Sequence, residues 1–156
     1  MVDLFLFHDC HSVGEANLHL QFTPKYRRML FSDEVLRTAC EELMKGIAKS
    51  LGVGLAGIGF GPDHVHLFVS GWKNYSIAKL SKRFKGSVSR LLRKNYFDRI
   101  KPFLWGKSFW TGGYFYRTVG AVNRETMLKY VTESQSHHWK EQTVSPVNQQ
   151  TTLLQY

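Results

Sequence analysis

One short stretch restricts the fold more than any other. From His64 to Ser70 the sequence reads HVHLFVS, with Val65, Leu67 and Val69 at every second position. That period belongs to a strand buried on one face, which puts His64 and His66 together on the other. Gly61-Pro62-Asp63 just before it has turn chemistry, and Val53 to Phe60 is a glycine-rich apolar run. A strand–turn–strand hairpin therefore occupies the middle of the chain.

On either side the period changes. Asn17 to Pro24 (NLHLQFTP) alternates as a strand does. Ser32-Asp33-Glu34 then offers a helix start, and Val35, Leu36, Ala39, Leu43, Ile47 and Leu51 share one helical face, stopped by Gly52. After the hairpin, Asn74 or Ser76 can cap a helix running to about Asn95. The aromatic-rich run from Phe103 to Thr118 reads as a loop and a strand ending near Val119. Asn123 caps a last helix that contains Tyr130. The order β-α-β-β-α-β predicts an α+β, ferredoxin-like antiparallel sheet, with helices packed on one face and a C-terminal helix carrying the tyrosine. The 156 residues suit one domain over 17–141, with an N-terminal arm over 1–16 and a flexible, polar tail over 142–156.

Charge narrows the partners. Lys and Arg number 21 against 12 acids, a formal charge of +9 that favours a polyanion. Ten of those cations lie between Lys73 and Lys101, where Asp98 is the only acid. A solvated helix face usually mixes both signs, so this stretch reads as a nucleic-acid surface; no broad apolar face accompanies it, which disfavours a membrane-surface helix. No apolar run is long enough to span a membrane. Cys10 and Cys40 form no CxxC pair, and the apolar start lacks a secretory signal's cationic region, so a reducing, cytoplasmic setting is expected.

Two imidazoles on one strand face can reach a single divalent cation. The alternative is a pair of polar-face histidines with no ligand role. His19, alternating with Leu18 and Leu20, reads as a structural or solvated strand residue, and His8 and His11 fall in the arm. No cysteine is placed to close a zinc site, so an open catalytic site with oxygen donors, suited to Mg2+ or Mn2+, is the sharper reading. Gly57-Ile58-Gly59-Phe60-Gly61 is not a dinucleotide loop, because Pro62 and a strand follow it. Those glycines instead allow close backbone approach beside the histidines. Phe68, where a third alternating histidine would stand, argues against a histidine-triad hydrolase.

Pro62-Asp63-His64-Val65-His66-Leu67 resembles the PDHVHL box of the small single-tyrosine HUH transposases of the 200/605 insertion sequences. The likeness continues in order through Phe84-Lys85-Gly86, Leu104-Trp105, Phe109 to Phe115, Thr118-Val119-Gly120 and Lys129-Tyr130-Val131. It implies a DNA transposase that cleaves and rejoins single-stranded DNA at element ends. Tyr130 would be the nucleophile through a 5′-phosphotyrosine link, with His64 and His66 holding the metal. On the residues alone, Tyr130 would be a packed or capping helix aromatic. The family places Gln four residues after the tyrosine; here Ser134 stands there and Gln135 follows. On a regular helix that moves the amide from about 40° to about 140° away from Tyr130. Gln135 is the expected third ligand, with Glu133 and His137 as alternatives.

The resemblance also implies hairpin-bearing single-stranded DNA as partner, contacted by Lys79, Arg83, Lys85, Arg90 and Lys94, and a homodimer with composite active sites. Trp105, Trp110, Tyr114 and Tyr116 are candidates for stacking on unpaired bases, or for core packing. Two further readings share these motifs: a domesticated relative that no longer moves an element, and a non-enzymatic module that binds hairpins.

Overall fold

The computed structural model describes residues 6–120 and 124–133. The central sheet has four antiparallel strands, β3 (Asn17–Phe22), β4 (Gly54–Gly61), β5 (His64–Ser70) and β6 (Phe115–Val119), in the order β4-β5-β3-β6. Helix α1 (Glu34–Leu51) joins β3 to β4, and α2 (Ile77–Ile100) joins β5 to β6. This is the expected split β-α-β arrangement. Ahead of it, β1 (Leu6–Asp9) and β2 (Ser12–Glu15) form a separate exposed hairpin within the arm. Phe7 of that hairpin lies against Gly71, and Lys73 pairs with Asp9 at 3.2 Å.

One sheet face makes the core. Leu18, Leu20, Phe22, Val65 and Leu67 are fully buried with Leu36 and Met44 of α1 and Leu80, Phe84 and Val88 of α2. At about 1.5–3 kcal/mol for each large apolar side chain, this face provides most of the drive to fold. Local signals set the helix ends. The Asp33 carboxylate accepts from the Val35 and Leu36 amides, and Gly52 leaves α1 in the left-handed region at φ 68°. Ser76 caps α2 by accepting from the Lys79 amide. That helix passes a non-helical Tyr96 (φ −134°) and continues to Ile100, beyond the expected end near Asn95.

The other face is of a different kind. Helix α3 (Arg124–Glu133) packs on β4 and β5 there, with Val131 and Leu128 against Phe68 and Val119. Close approach depends on β4 lacking a side chain at Gly57, where a Cβ would come within 2.8 Å of Leu128. Among the described residues no helix is long and apolar enough to cross a membrane.

Candidate active site

Register decides which residues meet on this second face. Across β3 and β5, His19 pairs with Phe68 and Gln21 with His66. Across β5 and β4, His64 faces Gly61, His66 faces Gly59 and Phe68 faces Gly57. Every second residue of β4 here is glycine, so β4 itself sets no side chain beside the imidazoles. At Gly61 a Cβ would run into the His64 ring. The two rings stand nearly perpendicular, with centroids 4.9 Å apart, and His66 is only 4% exposed.

Each histidine is held by its Nδ1. The His64 Nδ1 lies 2.7 Å from Asp63 Oδ1, and the His66 Nδ1 lies 2.9 Å from the Nε2 of His19. Asp63 is itself clamped by Arg27, whose Nε and Nη2 each reach Oδ2 at 3.0 Å. Burial alone would raise the Asp63 pKa, but the His64 hydrogen bond and the Arg27 charge outweigh it and hold the carboxyl below its usual range. His19 is pushed the other way from a cation: burial, then the Arg117 charge, lower its pKa to about 4. It is therefore neutral at pH 7 and can accept the His66 Nδ1–H. Where both Nδ1 atoms donate, the lone pair of each histidine sits on Nε2, the nitrogen that can bind a cation.

Arg27 reaches Asp63 from strained backbone. Tyr26 (φ 60°) and Arg27 (φ 52°) are consecutive non-glycine residues in the left-handed region, at about 1–3 kcal/mol each. Among the described residues, no group of three His, Cys, Asp or Glu side chains could hold a metal ion. The imidazole pair could give two nitrogen ligands to a divalent cation, which would need further donors from elsewhere.

The chain matches the family model for IS200-like transposases over residues 12–134. This chain belongs to that family. It is 30% identical over 129 residues to the ISDra2 transposase TnpA of Deinococcus radiodurans, covering 83% of this chain and 89% of the relative. It is 27% identical to the transposase of insertion element IS200 from Salmonella typhimurium, covering 70% and 71% respectively. A solved candidate transposase of Deinococcus radiodurans R1 superposes with TM-score 0.65 at 26% identity, covering 83% of this chain and 97% of that one. A REP-associated tyrosine transposase bound to a REP hairpin superposes with TM-score 0.59 at 8% identity, covering 85% and 73%, a likeness of fold alone.

Membership makes this a DNA transposase, and its other candidate residues fall into distinct places. Tyr130 belongs to α3, the helix that packs over the histidine face. Gln135 and His137 lie outside the described residues. Lys79, Arg83, Arg90 and Lys94 are exposed on α2, within an arc of about 60°, and none forms an ion pair among the described residues. Lys85 differs: its ammonium donates to the Thr111 and Gly113 carbonyls at 2.8 and 3.0 Å, and burial lowers its pKa. Trp110 is core, its Nε1 donating to the Lys85 carbonyl at 2.9 Å, whereas Trp105, Tyr114 and Tyr116 reach solvent.

Sequence reasoning missed His19 and Arg27. The signal for His19 was available: alternation with Leu18 and Leu20 puts it on the opposite face from the core. Nothing local marked Arg27, which meets Asp63 from 36 residues away.

Proposed function

We propose that this transposase cleaves and rejoins single-stranded DNA through Tyr130, with His64 and His66 holding a Mg2+ or Mn2+ ion and Gln135 adding an oxygen ligand. The observation that carries the reading is the pair of imidazoles, each in contact through Nδ1, on the face over which α3 packs. Bound there, the cation would supply electrostatic stabilisation of charge developing on a scissile phosphate. Asp63 and His19 keep the two ligand rings in one tautomer and orientation.

The Tyr130 oxygen attacks phosphorus and the bond to O3′ breaks. The phenolic proton is lost, and the departing 3′ oxygen takes one up. The product is a 5′-phosphotyrosine with a free 3′-hydroxyl, and reversal by another 3′-hydroxyl restores the tyrosine and joins two strands. A phenol of pKa about 10 needs local positive charge for this step at neutral pH. The α2 stripe of Lys79, Arg83, Arg90 and Lys94 supports binding of a DNA hairpin through its phosphates, with affinity that falls as salt rises. We place Lys85 with them as the loop-anchoring member. The working unit would be a homodimer with composite active sites, in which the α3 that packs on its own sheet here would exchange onto the partner's histidines.

The test incubates the protein with labelled, hairpin-bearing single-stranded DNA and Mn2+. A covalent protein–DNA adduct should form, and should be absent with chelator, Tyr130→Phe or His64→Ala. An adduct persisting in Tyr130→Phe would remove the nucleophile assignment. Tight hairpin binding with no adduct would favour the non-enzymatic module.

A further inference from the structure

A cleft of about 340 Å3 opens beside the histidines, where the start of β6 passes the end of β3. Three of its lining residues are each one contact from the site. Gln21 is the register partner of His66, the Phe115 ring stands edge-on to His19 at 5.5 Å, and Arg27 holds the Asp63 that supports His64. We propose that this cleft, lined by Gln21, Thr23, Arg27, Thr111, Tyr114 and Phe115, holds one unpaired nucleobase of the strand lying at the histidine pair. The proposal rests on the single-strand reading above and adds a base-binding subsite to it.

Its chemistry is that of a base rather than a phosphate. Phe115 and Tyr114 offer ring faces, and Tyr114 is 36% exposed, so a planar heterocycle can stack without displacing core. The Gln21 amide, engaged by no hydrogen bond among the described residues, presents a donor and an acceptor side by side. That pattern matches the edge of a nucleobase. The one cation among the lining residues, Arg27, commits its Nε and Nη2 to Asp63. The volume falls within the ordinary range for small-ligand pockets, about 300–1,000 Å3.

A neighbouring cleft supplies the phosphate side. It is about 450 Å3, lies between α2 and the loop over 107–114, and is lined by Lys82, Lys85 and Lys107 with no acid. Thr111 and Tyr114 border both clefts. The basic stripe lies on the helical layer and the histidines on the opposite face, so a strand joining them must pass the sheet's edge. The shared wall at Thr111 and Tyr114 marks that crossing, with backbone contacts on the lysine side and a base on the Gln21 side. Lys85, bonded to the Thr111 and Gly113 carbonyls, keeps the crossing point fixed.

The test compares binding of oligothymidylate with an abasic oligomer of equal length, by fluorescence anisotropy in excess chelator. Wild type should prefer the base-bearing strand. Tyr114→Ala should shrink that preference by roughly tenfold, as expected for loss of one stacked base. Gln21→Leu, close in volume, should shrink it by roughly three- to tenfold. Abasic affinity and thermal melting should stay near wild type in both. Equal weakening toward both oligomers, or an unchanged preference, would overturn the cleft assignment. Chelator removes any contribution of Gln21 through a metal, and no step requires Tyr130. Adduct formation without base preference would thus sink the cleft alone, whereas base preference without adducts would sink the cleavage chemistry and leave the cleft.

Discussion

The two faces of the sheet are built by opposite rules from the same three strands. On the α1/α2 side, Leu18, Leu20, Val65, Leu67 and Val69 are fully buried among apolar neighbours. On the α3 side the alternate positions of those strands are His19, Gln21, His64, His66 and three glycines of β4. The first face gains stability from packing. The second holds buried polar rings that must be hydrogen-bonded to avoid a desolvation penalty of about 1–3 kcal/mol each. Strand alternation lets one backbone serve both, with adjacent residues assigned to different tasks.

The sharpest way to break this division is to mutate neighbours. Leu67 and His66 adjoin in sequence but face opposite ways. Leu67→Ala should cost about 2–5 kcal/mol of unfolding free energy, read from urea denaturation, because it leaves a cavity in a fully packed core. The adduct yield per folded molecule should remain near wild type. A Leu67→Ala protein that stays stable but forms no adduct would show that the two faces are not separable.

A smaller effect tests the support of His66. His19→Leu removes the hydrogen-bond partner of the His66 Nδ1, whereas His19→Gln can retain one through its amide. Loss of such a support typically lowers metal affinity by about 10- to 100-fold. Mn2+ titration should show that loss for His19→Leu and substantial recovery for His19→Gln. Equal affinities in the two variants would mean that His19 fills space without orienting its neighbour.

His19 also shows where a sequence can be read and where it cannot. His64 and His66 are legible because they are two apart on one strand, and period alone puts them on one face. The His19–His66 contact spans 47 residues and exists only through the β3–β5 register. Arg27 depends in addition on left-handed backbone at Tyr26 and Arg27, for which neither residue carries a local signal. The element order was legible because Asp33, Gly52 and Ser76 act within one turn of the helix ends they set. Lys85 belongs to the same basic run as Lys82 and Arg83, and only the fold reveals that its charge meets two loop carbonyls.

The smallest predicted effect compares two aspartates with matching surroundings. Asp33 and Asp63 each bind an arginine, Arg99 at 2.9 Å and Arg27 at 3.0 Å, and each has a pKa held below its usual value. For Asp33, burial would raise the pKa, but the Leu36 amide, Arg99 and the Val35 amide outweigh it. Its work is in the helical layer, as the cap of α1, so Asp33→Ala should cost about 1 kcal/mol with no change in Mn2+ affinity. Because the folded carboxyl binds its proton less readily than the unfolded one, its contribution is complete above about pH 4 and is lost as pH falls through the folded pKa. The stability gap between wild type and Asp33→Ala should therefore be constant near neutrality and close in acid, as thermal melting across that range would show. A gap that widened in acid would reverse the assigned sign, and a fall in Mn2+ affinity would tie this carboxylate to the histidine face after all.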